Sequence, residues 1–298
     1  GVGGSNPLPA TIKMLTFKKN LQKSFKSVGY SLFKILYGKI EGVINPENKK
    51  GISIDTINKG NEIFYKVYKI ENGSLYTDRV NDTAIIKNNK IIEGPSFQFR
   101  TVDSEVINTT VNENLALVNG TPRLRKNIKG KVLSLLTGGG GNENYWHWMF
   151  DVLPRLGICE STINLDSIDF FLVPDNKKKF QVETLEILKI PKKKQISSTK
   201  YRHILTKDIY ATSHPVVLSG NATHDIQNIP DWILKWLREK FLENIMEKEK
   251  KFSKKIYLDR SDSKSNVKSL RSIINEEEVK SYLEKEGFKS VKLADLHF

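Results

Sequence analysis

The run from Val132 to Leu156, VLSLLTGGGGNENYWHWMFDVLPRL, constrains this chain more than any other stretch. A short apolar run enters four consecutive glycines, Gly138 to Gly141, and a segment with helical spacing of apolar residues follows. A buried strand that turns through glycine into a helix is the repeating unit of α/β folds with parallel strands. Strand and helix signals keep alternating beyond it. IDFFLVP, FQVETLEILKI and HILTKDIYATS come first, the last carrying the signals of a strand pair, and a long helix is expected over about Pro230 to Lys248. Strand KIYLD, helix NEEEVKSYLEKEG and strand FKSVKLADL complete the chain. Asn275 followed by three glutamates suits a helix start, by capping and by charge at the positive helix end.

Upstream the texture differs. From about Gly51 to Lys131, β-rich runs such as EIFYKVYKI, TAIIKNNKIIEG and LALVNG alternate with turn-forming Asn, Gly and Asp, so strands are expected there. Between Leu15 and Gly42, Phe17, Leu21, Phe25, Val28, Leu32, Ile35 and Leu36 recur at steps of three and four among lysines. That spacing predicts a basic amphipathic helix, or two broken at Gly29. Such a helix either lies on an anionic membrane or packs on the domain by its apolar stripe, the second being the simpler expectation. The resulting division is a tail over 1–13, a basic amphipathic helical segment over 14–48, a β-rich plus Rossmann-like domain over 49–250, and a second α/β unit over 251–298. The last boundary falls at the lysine-rich KEKKFSK. With two strands and one helix, that second unit reads as cut short.

Composition excludes several classes. The 298 residues carry 48 Lys and Arg against 34 acidic residues, a formal net charge of +14. Only nine of the 48 are Arg, which disfavours a phosphate-reading nucleic-acid surface built on arginine forks, and no nucleic-acid partner is expected. The one cysteine, Cys159, excludes a disulfide framework and Cys-rich zinc sites, and reads as a small buried hydrophobe. No apolar run of about 18 residues predicts a membrane span, and the N-terminus lacks a signal-peptide core. A cytoplasmic protein is expected, with peripheral membrane contact through residues 15–42 as the variant.

The glycine run resembles phosphate-binding turns without matching one. Gly139 and Gly141 are followed by Asn144 where a dinucleotide fingerprint needs its third glycine, and no Gly-Lys-Ser/Thr follows as in a P-loop. On the helix beyond, Asn144, His147 and Asp151 share one face. They either line a ligand site above the carboxyl end of the strand, or His147 is a core histidine and Asp151 pairs with Arg155. A second candidate group is Arg260, at the end of strand KIYLD, with Arg271, Asn275 and Glu276 around the next helix start. An arginine there can fork onto a diphosphate.

NYWHWMFDVLPRL, followed about a hundred residues on by KIYLDRSDSKSNVKSLRSIINEEEVKSYLEKEGFKSVKLADL, resembles the family 61 glycosyltransferases, including bacterial members of capsular polysaccharide biosynthesis. The likeness covers roughly Thr83 to Phe298. Its first motif is met at Asn144, Tyr145, His147, Trp148, Asp151, Leu153, Pro154, Arg155 and Leu156, and its second at Arg260, Arg271, Asn275, Glu276, Glu277, Gly287 and Phe288. The resemblance implies a GT-B architecture of two Rossmann-like domains with the active site in the cleft between them. The acceptor-side domain comes first, and the donor-binding domain is incomplete here. It also implies transfer of a sugar, with inversion, from a nucleotide-sugar donor to a glycan acceptor of the cell surface. Inversion needs a base, for which His147 and Asp151 are the candidates, and positive charge on the departing diphosphate, for which Arg260 is. Asn144, Tyr145, Arg155, Gly140 and Gly141 are the substrate-side candidates. Arg260, Arg271, Asn275 and Glu276 are the donor-side ones. No Asp-X-Asp motif stands in a plausible loop, so no cofactor or obligatory metal is expected beyond the nucleotide-sugar co-substrate. The competing reading is a non-catalytic fragment or assembly partner that binds membrane or protein.

Overall fold

The computed structural model describes residues 24, 26–60, 62–102, 105–108, 110–137, 140–216, 228–242, 253–259 and 273–296. They form two compact units, one of residues 1–175 and 194–234, the other of residues 176–193 and 235–298. The fold is mixed α/β.

Among the described residues the first unit opens with helix α1 (residues 26–37), and the part of the expected basic helix before it, residues 15–23 and 25, lies outside them. The helix runs through Gly29 without a break. It ends at Gly38, whose φ of 88° is a left-handed conformation open to glycine, and whose N–H donates to Lys34 O at 2.9 Å. Strands β1 (Gly42–Ile44), β2 (Ile52–Asn58), β3 (Phe64–Glu71), β4 (Ser74–Thr77), β5 (Asp82–Lys87), β6 (Lys90–Ile92), β7 (Phe97–Val102) and β8 (Glu105–Asn108) follow. Most pair antiparallel as hairpins, the turn-rich pattern foreseen for this region.

LALVNG departs from that pattern. Leu115–Asn119 is the short helix α2, not a strand. The Asn114 side chain accepts from Ala116 N, and Gly120 closes the helix at a φ of 68°, so local capping overrides the β-like composition.

The remaining strands of this unit are β9 (Lys126–Ser134), β10 (Phe170–Val173), β11 (Gln195–Ser197) and β12 (His203–Thr212). The order β12-β9-β10-β11 is parallel throughout, and β12 also pairs antiparallel with β3 and β4, which joins the hairpin half to the parallel half in one twelve-stranded sheet. HILTKDIYATS is thus one strand, not a pair. Its register against β9 shifts between Thr206 and Asp208, and on its other edge His203–Leu205 lies against β4 and Asp208–Thr212 against β3. Val132, Leu172, Ile204 and Ile209 meet Ile70, Leu75 and Ile85 in the main core, while Ile40, Tyr76, Ala84 and Ile91 form a second cluster with Ala116 of α2.

Between β9 and β10 lie α3 (Tyr145–His147), a π-helical turn over Trp148–Val152, and α4 (Pro154–Cys159). The second unit holds α5 (Lys179–Ile187), most of α6 (Asp231–Leu242), α7 (Glu276–Lys285), and the parallel pair β13 (Ile256–Asp259) and β14 (Lys289–Lys292). A parallel pair with a helix in its crossover is a βαβ unit.

Candidate active site

The carboxyl ends of three parallel strands, β9, β10 and β12, bring the sequence's most distinctive residues together. After β9 the chain reaches Thr137, and the glycine run does not itself open the helix. Gly140–Asn142 forms a single 3₁₀ turn, and α3 begins only after Asn144. Gly141 is buried, and a Cβ there would stand 2.5 Å from Val152 Cγ2 and 3.1 Å from Pro174 Cγ. The glycine therefore permits close packing of the loop on the turn behind it. Gly138 and Gly139 lie outside the described residues.

Asn144 is a helix cap, its side-chain oxygen accepting from Trp146 N at 2.9 Å and His147 N at 3.3 Å. Tyr145 is about half exposed. The helix then widens: Leu153 N donates to Trp148 O at 3.0 Å, a bond from i+5 to i. Pro154 explains the widening, because it has no N–H to give and its ring crowds the carbonyl four residues back. The turn drives Trp148, Val152, Leu153 and Leu156 into the core and turns Asp151 inward.

At that point His147 Nδ1 lies 2.6 Å from Asp151 Oδ2. The carboxylate is 2% exposed and the imidazole side chain 29%. A buried carboxylate in this position fixes Nδ1 as the protonated ring nitrogen, which leaves Nε2 as the nitrogen able to accept a proton. The expected pairing of Asp151 with Arg155 takes another form. Arg155 Nε donates to the Asp151 backbone oxygen at 2.9 Å, and Nη1 donates to Thr212 O and Oγ1 at 3.3 and 3.2 Å. Its guanidinium is wholly enclosed, and burial pulls its pKa down to about 10 despite the attraction of Asp151. Arg155 is therefore a buried counter-charge joining α4 to the end of β12, and no direct substrate contact is open to it in this state.

The sequence gives little hint of the third partner, His214. Its Nε2 lies 3.7 Å from Asp151 Oδ1, the carboxylate oxygen that His147 does not approach. Its segment is pinned to β3: Ser213 N donates to Lys66 O at 2.9 Å, and Tyr65 OH donates to Pro215 O at 2.8 Å. Burial lowers the His214 pKa to about 4, Asp151 pulling it up and Arg155 pushing it down. The imidazole is neutral at ordinary pH. Its signals in sequence are faint: it is one of five histidines and stands just past an apolar strand, before a proline.

Arg79 is a second residue that sequence reasoning misses. At a φ of 67° it donates from Nε to Ser198 Oγ at 3.1 Å and from Nη2 to Asn142 Oδ1 at 3.3 Å and Asp175 Oδ2 at 3.5 Å. Asn142 Nδ2 returns a bond to Arg79 O at 2.6 Å. The glycine-containing loop is thus tied to the ends of β4 and β10. Among the described residues no group of three or more His, Cys, Asp and Glu is arranged to hold a metal ion.

The donor-side candidates belong to the second unit. Arg260 and Arg271 lie outside the described residues. Asn275 precedes α7 as expected but makes no capping bond through its side chain; its Nδ2 donates to Glu278 Oε2 at 3.2 Å instead. Glu276 accepts from Tyr257 OH at 3.2 Å, which ties the helix start to β13. Lys280 bridges buried Asp259 at 2.9 Å and Glu277 at 3.2 Å.

No curated protein matches the chain. A family model described as Glycosyltransferase 61 matches residues 145–298, more than half of the sequence, though not the stretch from Thr83 to Asn144 that the resemblance was expected to include. The match begins on the first residue of α3, so it takes in His147, Asp151, Arg155 and His214 as well as Asn275 and Glu276, and the chain belongs to the glycosyltransferase 61 family.

Proposed function

We propose that the protein transfers a sugar from a nucleotide-sugar donor to a hydroxyl of a glycan acceptor, with inversion, and that His147 is the base. The observation that carries the reading is the 2.6 Å contact between a partly exposed imidazole and a buried carboxylate at the mouth of three parallel strands. Neither residue could be preferred on spacing alone. Exposure separates them: His147 can meet a substrate, while Asp151 positions it and stabilises the imidazolium that forms.

In the step, Nε2 takes the proton of the acceptor hydroxyl as that oxygen attacks the anomeric carbon. The bond to the leaving oxygen breaks on the opposite face, and its electron pair departs with the nucleoside diphosphate. Arg260 and Arg271 are the cations this reading assigns to the diphosphate, where charge grows as the bond breaks. Asn275 and Glu276 hold the helix start beside them in sequence, and Tyr145 is the exposed aromatic offered to the acceptor. A GT-B architecture and a place in capsular or other cell-surface polysaccharide synthesis belong to the same proposal.

The test is a panel of UDP, GDP and CMP sugars with mono- and oligosaccharide acceptors, read as nucleotide release and product anomer by NMR. One donor is expected to give acceptor-dependent release with inverted configuration. EDTA is expected to leave the rate unchanged, since the sequence lacks an Asp-X-Asp motif in a plausible loop. Retained configuration, or no release across the panel, would overturn the reading.

A further inference from the structure

The face that α1 turns outward is the aliphatic one. Simple amphipathic packing would bury Val28, Leu32, Ile35 and Leu36 against the domain. Those four side chains are 61%, 60%, 83% and 61% exposed. The helix docks instead by its other side. Tyr37 stacks on Phe33 at 5.9 Å and meets the His203 ring edge-on at 5.1 Å. The Arg125 guanidinium lies 4.7 Å from the Tyr37 ring centroid, and Arg125 N donates to Tyr37 OH at 2.9 Å. Positions 28, 32, 35 and 36 and positions 30, 33 and 37 occupy opposite faces of a 3.6-residue helix. The domain thus holds the helix by its aromatic ridge and presents an aliphatic ridge to the outside.

Charge identifies what such a ridge fits. Residues 1–40 contain seven lysines and no Asp or Glu, half of the chain's formal net charge of +14. Lys26 and Lys39 stand exposed at the two ends of α1. The Asn88–Asn89 turn on which Gly38 rests is flanked by Lys87 and Lys90. Leu124, beside the Arg125 that clasps Tyr37, is also exposed. A protein-binding hot spot would draw on aromatics at its centre, and among the described residues of α1 the aromatics Phe33 and Tyr37 lie on the docked face. Val, Leu and Ile on one helix face, rimmed by lysine, is the pattern of a helix lying in the headgroup plane of an anionic bilayer.

We propose that α1 is a docking surface for an anionic phospholipid bilayer, with Val28, Leu32, Ile35 and Leu36 entering the acyl boundary and the exposed Lys26 and Lys39 meeting the headgroups. This goes beyond the transferase reading and stands without it. None of the described residues forms a helix long and apolar enough to cross a membrane.

The experiment is co-sedimentation of the full chain with vesicles of phosphatidylcholine alone and of phosphatidylcholine with 30% phosphatidylglycerol, with a melting curve and sedimentation equilibrium on each variant. The wild type is expected on the mixed vesicles and not on phosphatidylcholine, with release in high salt. Leu32→Ser/Ile35→Ser is expected to bind at least tenfold more weakly with an unchanged melt, since neither side chain is packed. Lys26→Ala is expected to weaken binding about fivefold, the effect of one lysine near a charged surface. Equal sedimentation with both vesicles, no binding, or full binding by the double variant would overturn the proposal. So would a wild-type dimer that the double variant abolishes without lipid binding, which would assign the face to a second copy of the chain.

Discussion

The turn carrying His147 and the α7–β13–β14 region of the second unit are both βα-type pieces of one family domain, yet they handle charge in opposite ways. In the first, Asp151 and Arg155 sit beneath the surface among Trp148, Val152 and Leu153, and burial sets proton affinities: it lowers Arg155 and the neighbouring His214. In the second, α7 has no buried residue, Leu258 and Tyr282 are exposed, and polar order comes from the Lys280 bridge, whose ammonium is held above its ordinary value chiefly by the hydrogen bond to Asp259. Enclosed charges are committed to one geometry and one protonation state. The Lys280 bridge is mixed: its Asp259 end is enclosed, and only its Glu277 end, 90% exposed, is open to exchange and to screening by salt.

The sharpest way to break this contrast is Arg155→Ala. It removes a buried cation near a carboxylate at 2% exposure and strips the donors from Asp151 O and from Thr212, and should destabilise the chain by about 3–5 kcal/mol, read by urea unfolding. A loss of under about 1 kcal/mol would mean that Asp151 does not depend on this cation.

Acid should come next. His203 and His214 are held at about 4 against an ordinary 6.5, so between those values the unfolded chain binds protons that the native chain refuses. Stability from these groups is complete above about pH 6.5, falls as the pH drops toward 4 by on the order of 3 kcal/mol each, and levels off below. Replacing His203 with Gln should flatten the pH dependence of the melting temperature by about half, leaving the His214 share.

Gly141→Ala is smaller and more local. The new methyl meets the stiff Val152 Cγ2 at 2.5 Å, so the loop or the π turn must move, at about 1–3 kcal/mol. The same variant should lower turnover, which separates it from a purely structural loop. Smallest of all, Leu258→Ser on exposed β13 should change stability by less than about 0.5 kcal/mol. A large loss there would show that the region's exposed apolar face is covered in the native protein.

The legible parts of this molecule are those governed by neighbours in sequence. The antiparallel hairpins, the buried runs VLSLL and FFLV, and the starts of α5 and α7 follow from periodicity, turn residues and charge. The capped helix at Leu115–Asn119 was equally local, but its Leu and Val mimic a strand, and the contrary signals are the caps, Asn114 and Gly120. The site was half legible. His147 and Asp151 stand four apart on one helix, so their meeting could be anticipated. The widening before Pro154 is local; the burial of Arg155 against Thr212 and the arrival of His214 depend on strand register far along the chain. The outward turn of the aliphatic ridge on α1 has the same cause, because the three-and-four spacing marks one apolar stripe and only the docking of Tyr37 on His203 and Arg125 shows that the helix is held by its other face.

The central claim is that His147 works as a base held by Asp151, and His147→Gln tests it most directly. Glutamine keeps an N–H within reach of the carboxylate but cannot take the acceptor's proton. Turnover per folded molecule, measured with the donor sugar that supports release, should fall by about a hundredfold or more, with the melting temperature close to that of the wild type. Turnover within a few-fold of the wild type would contradict the account and make the His147–Asp151 contact a structural one.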